Sequence, residues 1–190
     1  MSVINPFLNR VVTAFLFLAV ISLVSVHPVA AQTRDLDALF AELADPENED
    51  WEDTEDEIRR IFADSGSESM NMLLERGHRS LELGDYLVAI DHFTALTDHS
   101  PDFAEGYNAR ATAYYLIGMF GPSMEDISRV LTLEPRHFDA MVGMARILEE
   151  SGKPKQALEV FEQVAILHPH EPNVADDIAR LNALVGGTNL

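Results

Sequence analysis

The chain has 190 residues, 47% of them hydrophobic, and sets 32 acidic side chains against 13 basic ones, a net charge of −19. That much negative charge repels phosphate backbones and sets nucleic acid aside as a partner. The absence of cysteine removes disulfides, thiolate metal sites and a cysteine nucleophile, while the apolar fraction suffices for one or two packed units.

The first predicted element is not part of the fold. Arg10 precedes "VVTAFLFLAVISLVSV", Val11 to Val26, a run without charge, and Pro28 then breaks the run before the small residues of "VAA". This three-part pattern predicts a secretory leader over 1–31, cut after Ala31, so that the mature chain begins at Gln32. The run is shorter than the ~20 residues a membrane-spanning helix requires. The expectation is therefore export to the periplasm or beyond, with no membrane span left after cleavage. The leader carries Arg10 and no acid, so its removal makes the chain more acidic.

Residues 32–69 read as an acidic helical extension. Leu36, Leu39, Phe40 and Leu43 recur at helical steps, and Pro46 ends that helix. A second helix is predicted from about Asp50 to Ala63, with Trp51, Ile58, Ile61 and Phe62 on one face. "SGS", Ser65 to Ser67, reads as a linker. Nine of the thirteen residues from Asp45 to Glu57 are acidic. A calcium loop needs alternating oxygens and a glycine at its sharp turn. Asp45, Glu47 and Glu49 alternate, but Asp50 stands where the glycine belongs. The run reads first as a solvated face.

From Met70 onward the chain repeats itself. Gly84, Gly118 and Gly152 are 34 residues apart, as are Pro101, Pro135 and Pro169. Around each glycine the same frame returns, with a bulky residue at Leu73, Tyr107 and Met141 and a small one at Gly77, Ala111 and Ala145. Beyond the glycine come a second small residue at Ala89, Ser123 and Ala157, then a large one at Phe93, Ile127 and Phe161. The spacing predicts two helices per unit. The glycine ends the first, because it accepts left-handed geometry, and the proline ends the second. Asp85 is a candidate cap, and Pro154 suits a first helical position. Small residues let the two helices approach and large ones fill the space beside them. Each pair leaves a flank for the next to cover, so the pairs stack. "PNVADDIARLNALVGG" adds a final helix with Val174, Ile178, Leu181 and Val185 in one stripe.

This frame resembles the tetratricopeptide repeat family. The resemblance covers 70–171 as three repeats, 70–103, 104–137 and 138–171. It implies an all-α fold in which the repeats form a short right-handed superhelix. The extension at 32–69 would cover one end and the helix at 172–190 the other. Small secreted alphaproteobacterial members of the family are similar in the acidic segment before the repeats. The resemblance implies peptide or protein binding in a concave groove lined by the first helix of each pair. Here that face carries Leu74, His78 and Leu81, then Asn108, Thr112 and Tyr115, then Val142, Arg146 and Glu149. The basic clamp by which one subclass holds chaperone C-termini falls on Leu74, Asp139 and Gly143, so that clamp is absent.

Arg76 and Arg110 occupy equivalent positions where the family usually has leucine. Arg110 is expected to pair with Asp126, sixteen residues later on the facing helix, as a structural contact. His99, His137, His168 and His170 fall near the ends of second helices, where positive charge suits the dipole. His168 and His170 flank Pro169, but no metal site is assigned to them. No phosphate loop, nucleophile elbow or zincin helix is present, so no catalytic residue and no cofactor is assigned. The expected function is a non-catalytic binding scaffold or assembly factor with a protein or peptide partner. Self-association stays open. The alternative is an acidic cation binder using the 45–57 run.

Overall fold

The computed structural model describes residues 35–187, and the expected leader lies outside them. Two short helices come first, α1 (Leu36–Leu43) and α2 (Trp51–Phe62). Three helix pairs follow: α3 (Glu68–Glu82) with α4 (Tyr86–His99), α5 (Ala104–Leu116) with α6 (Phe120–Leu133), and α7 (Phe138–Glu150) with α8 (Pro154–Leu167). Helix α9 (Val174–Gly187) packs against α8. Among the described residues there is no strand, and no helix is long and apolar enough to cross a membrane.

The turn inside each pair is built the same way three times. Gly84, Gly118 and Gly152 have φ of 78°, 74° and 71°, a conformation that costs glycine nothing and a residue with a Cβ 1–2 kcal/mol or so. The following amide then reaches back across the helix end at 2.9 Å, from Asp85 to Ser80, Met119 to Tyr114 and Lys153 to Leu148. This closure satisfies the last carbonyls of the first helix. Asp85 stands at the N-cap of α4 but makes no side-chain capping bond, so the cap expected there is not formed. Pro154 opens α8. The second helices end alike too, with Ser100, Glu134 and His168 each donating a 2.8 Å bond to the carbonyl four residues back.

Small and large residues divide the space between paired helices. Ala89, Phe93, Ala145, Ala157 and Phe161 are fully buried. A Cβ on Gly77 would stand 2.2 Å from the Phe93 ring, so glycine alone lets α3 lie on that ring. Ser123 replaces alanine in the second pair because its hydroxyl donates to the Ala111 carbonyl at 2.7 Å, crossing the pair inside the core. On α9, Val174 and Leu181 are buried against Phe161 and Val164, with Ile178 beside them.

The extension does not cover the free side of the first pair. Leu39, Phe40, Leu43 and Ile58 instead enclose Phe138, the first residue of α7. Phe62 stacks on the buried His137 ring at 4.5 Å, and the Arg136 guanidinium lies 4.3 Å from the Phe40 ring centre. Arg136 also donates to Asp37, and Arg59 to Asp139, at 2.7 and 2.8 Å. The α6–α7 turn offers apolar rings edged by paired charges, which matches the face of α1 and α2, whereas Met72, Leu83, Leu87 and Val88 of the first pair stay exposed. Nor is "SGS" a slack linker. Ser65 Oγ donates to Asn71 Oδ1 at 2.6 Å and the Gly66 amide donates to Asp64 at 2.9 Å, which ties the turn before α3.

Candidate binding site

Stacking the second and third pairs leaves a hollow of about 250 Å³ between α5 and α7. Asn108, Thr112 and Tyr115 line it from α5, and Val142 and Arg146 from α7. The four- and three-residue steps of α5 put its three on one face. The floor is apolar, made by Ala111, Ile127 and Ile147, and Asp139 is also among the lining residues. Asn108 Nδ2 lies 3.3 Å from Glu105 Oε2, which orients the amide. Tyr115 packs on Phe120 at 5.6 Å between ring centres.

The other groove candidates lie elsewhere. Leu74 belongs to the buried core of the first pair, because α3 turns it toward Phe93 rather than outward. His78 sits edge-on to the Phe93 ring at 5.5 Å, and Leu81 packs beside the same core. Glu149 is held by Arg180 of α9, whose Nη2 is 2.9 Å from Oε2. Asp177 of α9 accepts from Arg180 at 2.7 Å and from Arg146 at 3.3 Å. The last helix therefore engages Arg146 and Glu149 in charge pairs. Asp139 and Gly143, noted in the sequence only as failed clamp positions, line the hollow. Gly143 meets Ile127 of α6, while Asp139 is held by Arg59 of α2, 80 residues away in sequence.

Arg110 and Asp126 meet in two parallel bonds of 2.7 Å, Nε to Oδ2 and Nη2 to Oδ1. Arg110 Nη1 also donates to Thr97 and Thr94, at 2.9 and 3.2 Å. Arg76, its counterpart, is exposed, its nearest polar contact being the Met72 sulfur.

A second polar cluster lies beneath α2. His168 is fully buried at the end of α8, its ring tilted against Trp51 at 5.6 Å and edge-on to Phe138 at 5.3 Å. Its Nε2 is 3.4 Å from Glu55 Oε2 and 3.4 Å from Glu171 Oε2. Neither approach has hydrogen-bond geometry, and both ring nitrogens and Glu171 Oε2 are buried without a hydrogen-bond partner. Burial lowers the His168 pKa, which works against the dipole-matched cation the sequence suggests. Burial, helped by Asp139 and Glu55, pushes the Glu171 carboxyl up to about 7. His170 stacks on Trp51 at 5.4 Å. Nothing in the local spacing announces Glu55 or Glu171, because they are 116 residues apart and meet only when α2 folds back.

The acidic run is mostly solvated. Asp45 Oδ1 accepts from the Glu47 amide and Asn48 Oδ1 from the Asp50 amide, at 2.9 and 3.0 Å, so these oxygens shape the α1–α2 turn.

No family model matches the chain. Among solved structures it is similar to the first TPR of Spaghetti (RPAP3) bound to an HSP90 peptide, with a TM-score of 0.59 and 21% identity over 62% of this chain and 93% of that one. The Sgt2 TPR domain of Aspergillus fumigatus gives a TM-score of 0.60 at 18% identity, over 65% and 83% of the two chains. The Yersinia enterocolitica type III secretion chaperone SycD, in complex with a peptide of the translocator YopD, gives 0.58 at 14%, over 62% and 95%. These likenesses establish the fold. In sequence, the chain is 29% identical over 98 residues to human DnaJ homolog subfamily C member 3, which is 52% of this chain but 19% of that protein. It is 33% identical over 153 residues to a TPR repeat-containing protein of Rhizobium etli, covering 80% of this chain and 75% of the relative. Identity at that level along most of both chains, on helix pairs closed three times by the same glycine turn, makes this chain a member of the tetratricopeptide repeat proteins.

Proposed function

We propose that the protein is a non-catalytic scaffold of the bacterial periplasm that holds an extended segment of a protein partner in the hollow between α5 and α7. The observation that carries this reading is the hollow's lining, an apolar floor with Asn108, Thr112 and Tyr115 along one wall and Arg146 along the other. An amide pairs with backbone groups of any sequence, and a tyrosine ring supplies contact area at small entropic cost. The RPAP3 and SycD domains, each in complex with a peptide, support a peptide as the occupant class. With the clamp positions filled by Leu74, Asp139 and Gly143, a partner held by its terminal carboxylate is disfavoured, and an internal segment suits the hollow.

A photo-crosslinker at Thr112 should capture the partner in cell envelopes, and Asn108→Ala with Tyr115→Ala should weaken the captured complex by ~1–3 kcal/mol with helicity unchanged. Asp45→Asn, Glu47→Gln and Glu49→Gln together should leave capture intact. The reverse pattern would move the binding site to the acidic run. Export has its own test. The intact mass of the protein recovered from the periplasm should begin at Gln32, and a membrane-held product retaining 1–31 would refute the leader.

A further inference from the structure

We propose that Glu55, His168 and Glu171 bind one divalent transition cation, zinc by preference, which staples α2 to the turn between α8 and α9. The three residues offer one ring nitrogen and two carboxylate oxygens, all within 4.8 Å of one another. The spacing is compatible with a shared cation. Two ligand atoms held 2.0–2.1 Å from a tetrahedral centre stand about 3.3–3.4 Å apart. His168 Nε2 is 3.4 Å from each carboxylate oxygen, and the atoms make no hydrogen bond with each other. Buried polar atoms are rarely left without a partner. Here an imidazole nitrogen and a carboxylate oxygen are both left so, facing each other across the gap a cation would span.

Charge and shape agree. Glu55, Asp139 and Glu171 gather near Arg59, which binds Glu55 Oε1 at 2.6 Å and Asp139 at 2.8 Å, with Arg146 also acting on Glu171. Three carboxylates against two guanidiniums leave the cluster short of positive charge, which a divalent ion supplies. Arg59 takes the far oxygen of Glu55 and leaves Oε2 aimed at His168. Trp51 and Phe138 flank the imidazole. An imidazole with two carboxylates suits zinc and its neighbours, whereas calcium and magnesium want oxygen alone and more of it. The three ligands lie outside the groove lining. They come from the extension and from the end of the third pair, so the ion would fasten the fold-back that covers Phe138.

Trp51 is the chain's one tryptophan and touches His168, so it reports on the site directly. The untagged full-length chain, stripped with chelator and dialysed against zinc chloride, should retain one zinc per chain, with a saturable change in Trp51 fluorescence. Cobalt(II) in place of zinc should give the intense visible bands of tetrahedral coordination. Glu171→Gln and, separately, Glu55→Gln should each weaken zinc binding at least about tenfold and remove the fluorescence response, with helicity retained. Neutralising Asp45, Glu47 and Glu49 should change neither. The proposal is overturned if the wild-type chain binds no zinc saturably or its cobalt form is octahedral. It also fails if both glutamine variants bind as tightly as wild type, or if the loss follows the Asp45 to Glu49 changes instead.

Discussion

Gly77→Ala should destabilise the protein by about 2 kcal/mol, whereas Gly143→Ala, at another helical glycine, should stabilise it by about 0.5–1 kcal/mol. Both changes add one methyl group and raise helix propensity, so propensity alone predicts a gain at both sites. Packing decides between them. At Gly77 the new Cβ would lie 2.2, 2.5 and 2.6 Å from three atoms of the Phe93 ring, which is itself fully buried and cannot swing aside. At Gly143 the nearest atom is the flexible tip of Ile127 at 3.4 Å, an ordinary contact. Denaturant titration of the two variants would measure the difference. Adding Phe93→Leu should make Gly77→Ala less costly than it is in the wild-type background, since neighbours that share one space are not additive. A neutral or stabilising Gly77→Ala would contradict the close helix approach.

Asp126→Ala should cost about 3 kcal/mol, a loss that added salt barely changes. The carboxylate is 7% exposed and the Arg110 side chain 15%, so the pair sits largely out of water. Removing the acid leaves a desolvated guanidinium with only Thr94 and Thr97 to bond, and an orphaned buried charge is what makes such changes severe. Screening reaches buried pairs weakly. The double change Arg110→Met with Asp126→Leu removes both charges and keeps volume, and should recover most of the loss. Thermal unfolding of the three proteins at low and high salt tests this. A single-variant loss under 1 kcal/mol, or one that salt erases, would recast the pair as a surface contact.

These two sites mark how far local sequence reaches. The glycines, the small and large packing positions and the Arg110–Asp126 pairing lie within one 34-residue frame, where helical periodicity and turn length dictate which residues meet. A reader of the chain can place Gly77 against Phe93 because sixteen residues, one turn and 3.6 residues per helical turn leave little choice. The end of α3 is legible for the same reason, while the missing Asp85 cap is not. Whether a cap side chain is used depends on its own backbone angles and rotamer, and Asp85 sits at φ −83° and ψ 59° rather than in the extended geometry a cap prefers.

The groove was half legible. Asn108, Thr112 and Tyr115 share a helix face by spacing alone, and the structure opens that face into the hollow. Leu74 shares the equivalent register but is buried, because α3 meets Phe93 across Gly77 and is drawn in closer. Arg146 and Glu149 look free in the sequence and are engaged by Asp177 and Arg180 of the last helix. Rotation and depth of a helix in its stack are tertiary properties, and they decide exposure.

By itself, then, the sequence determined the elements, the 34-residue period and the contacts made inside each pair, since all of these follow from short-range geometry repeated along the chain. Only the tertiary structure decided where the acidic extension docks and which of its acids turn inward. An amphipathic helix announces an apolar face but not the surface that will cover it. Here the best cover was the α6–α7 turn, with Phe138 and His137, rather than the free first pair. That docking brings Glu55 to His168 and Glu171, because burial of apolar area chooses the partner surface and the polar groups on both faces must then be satisfied where they land.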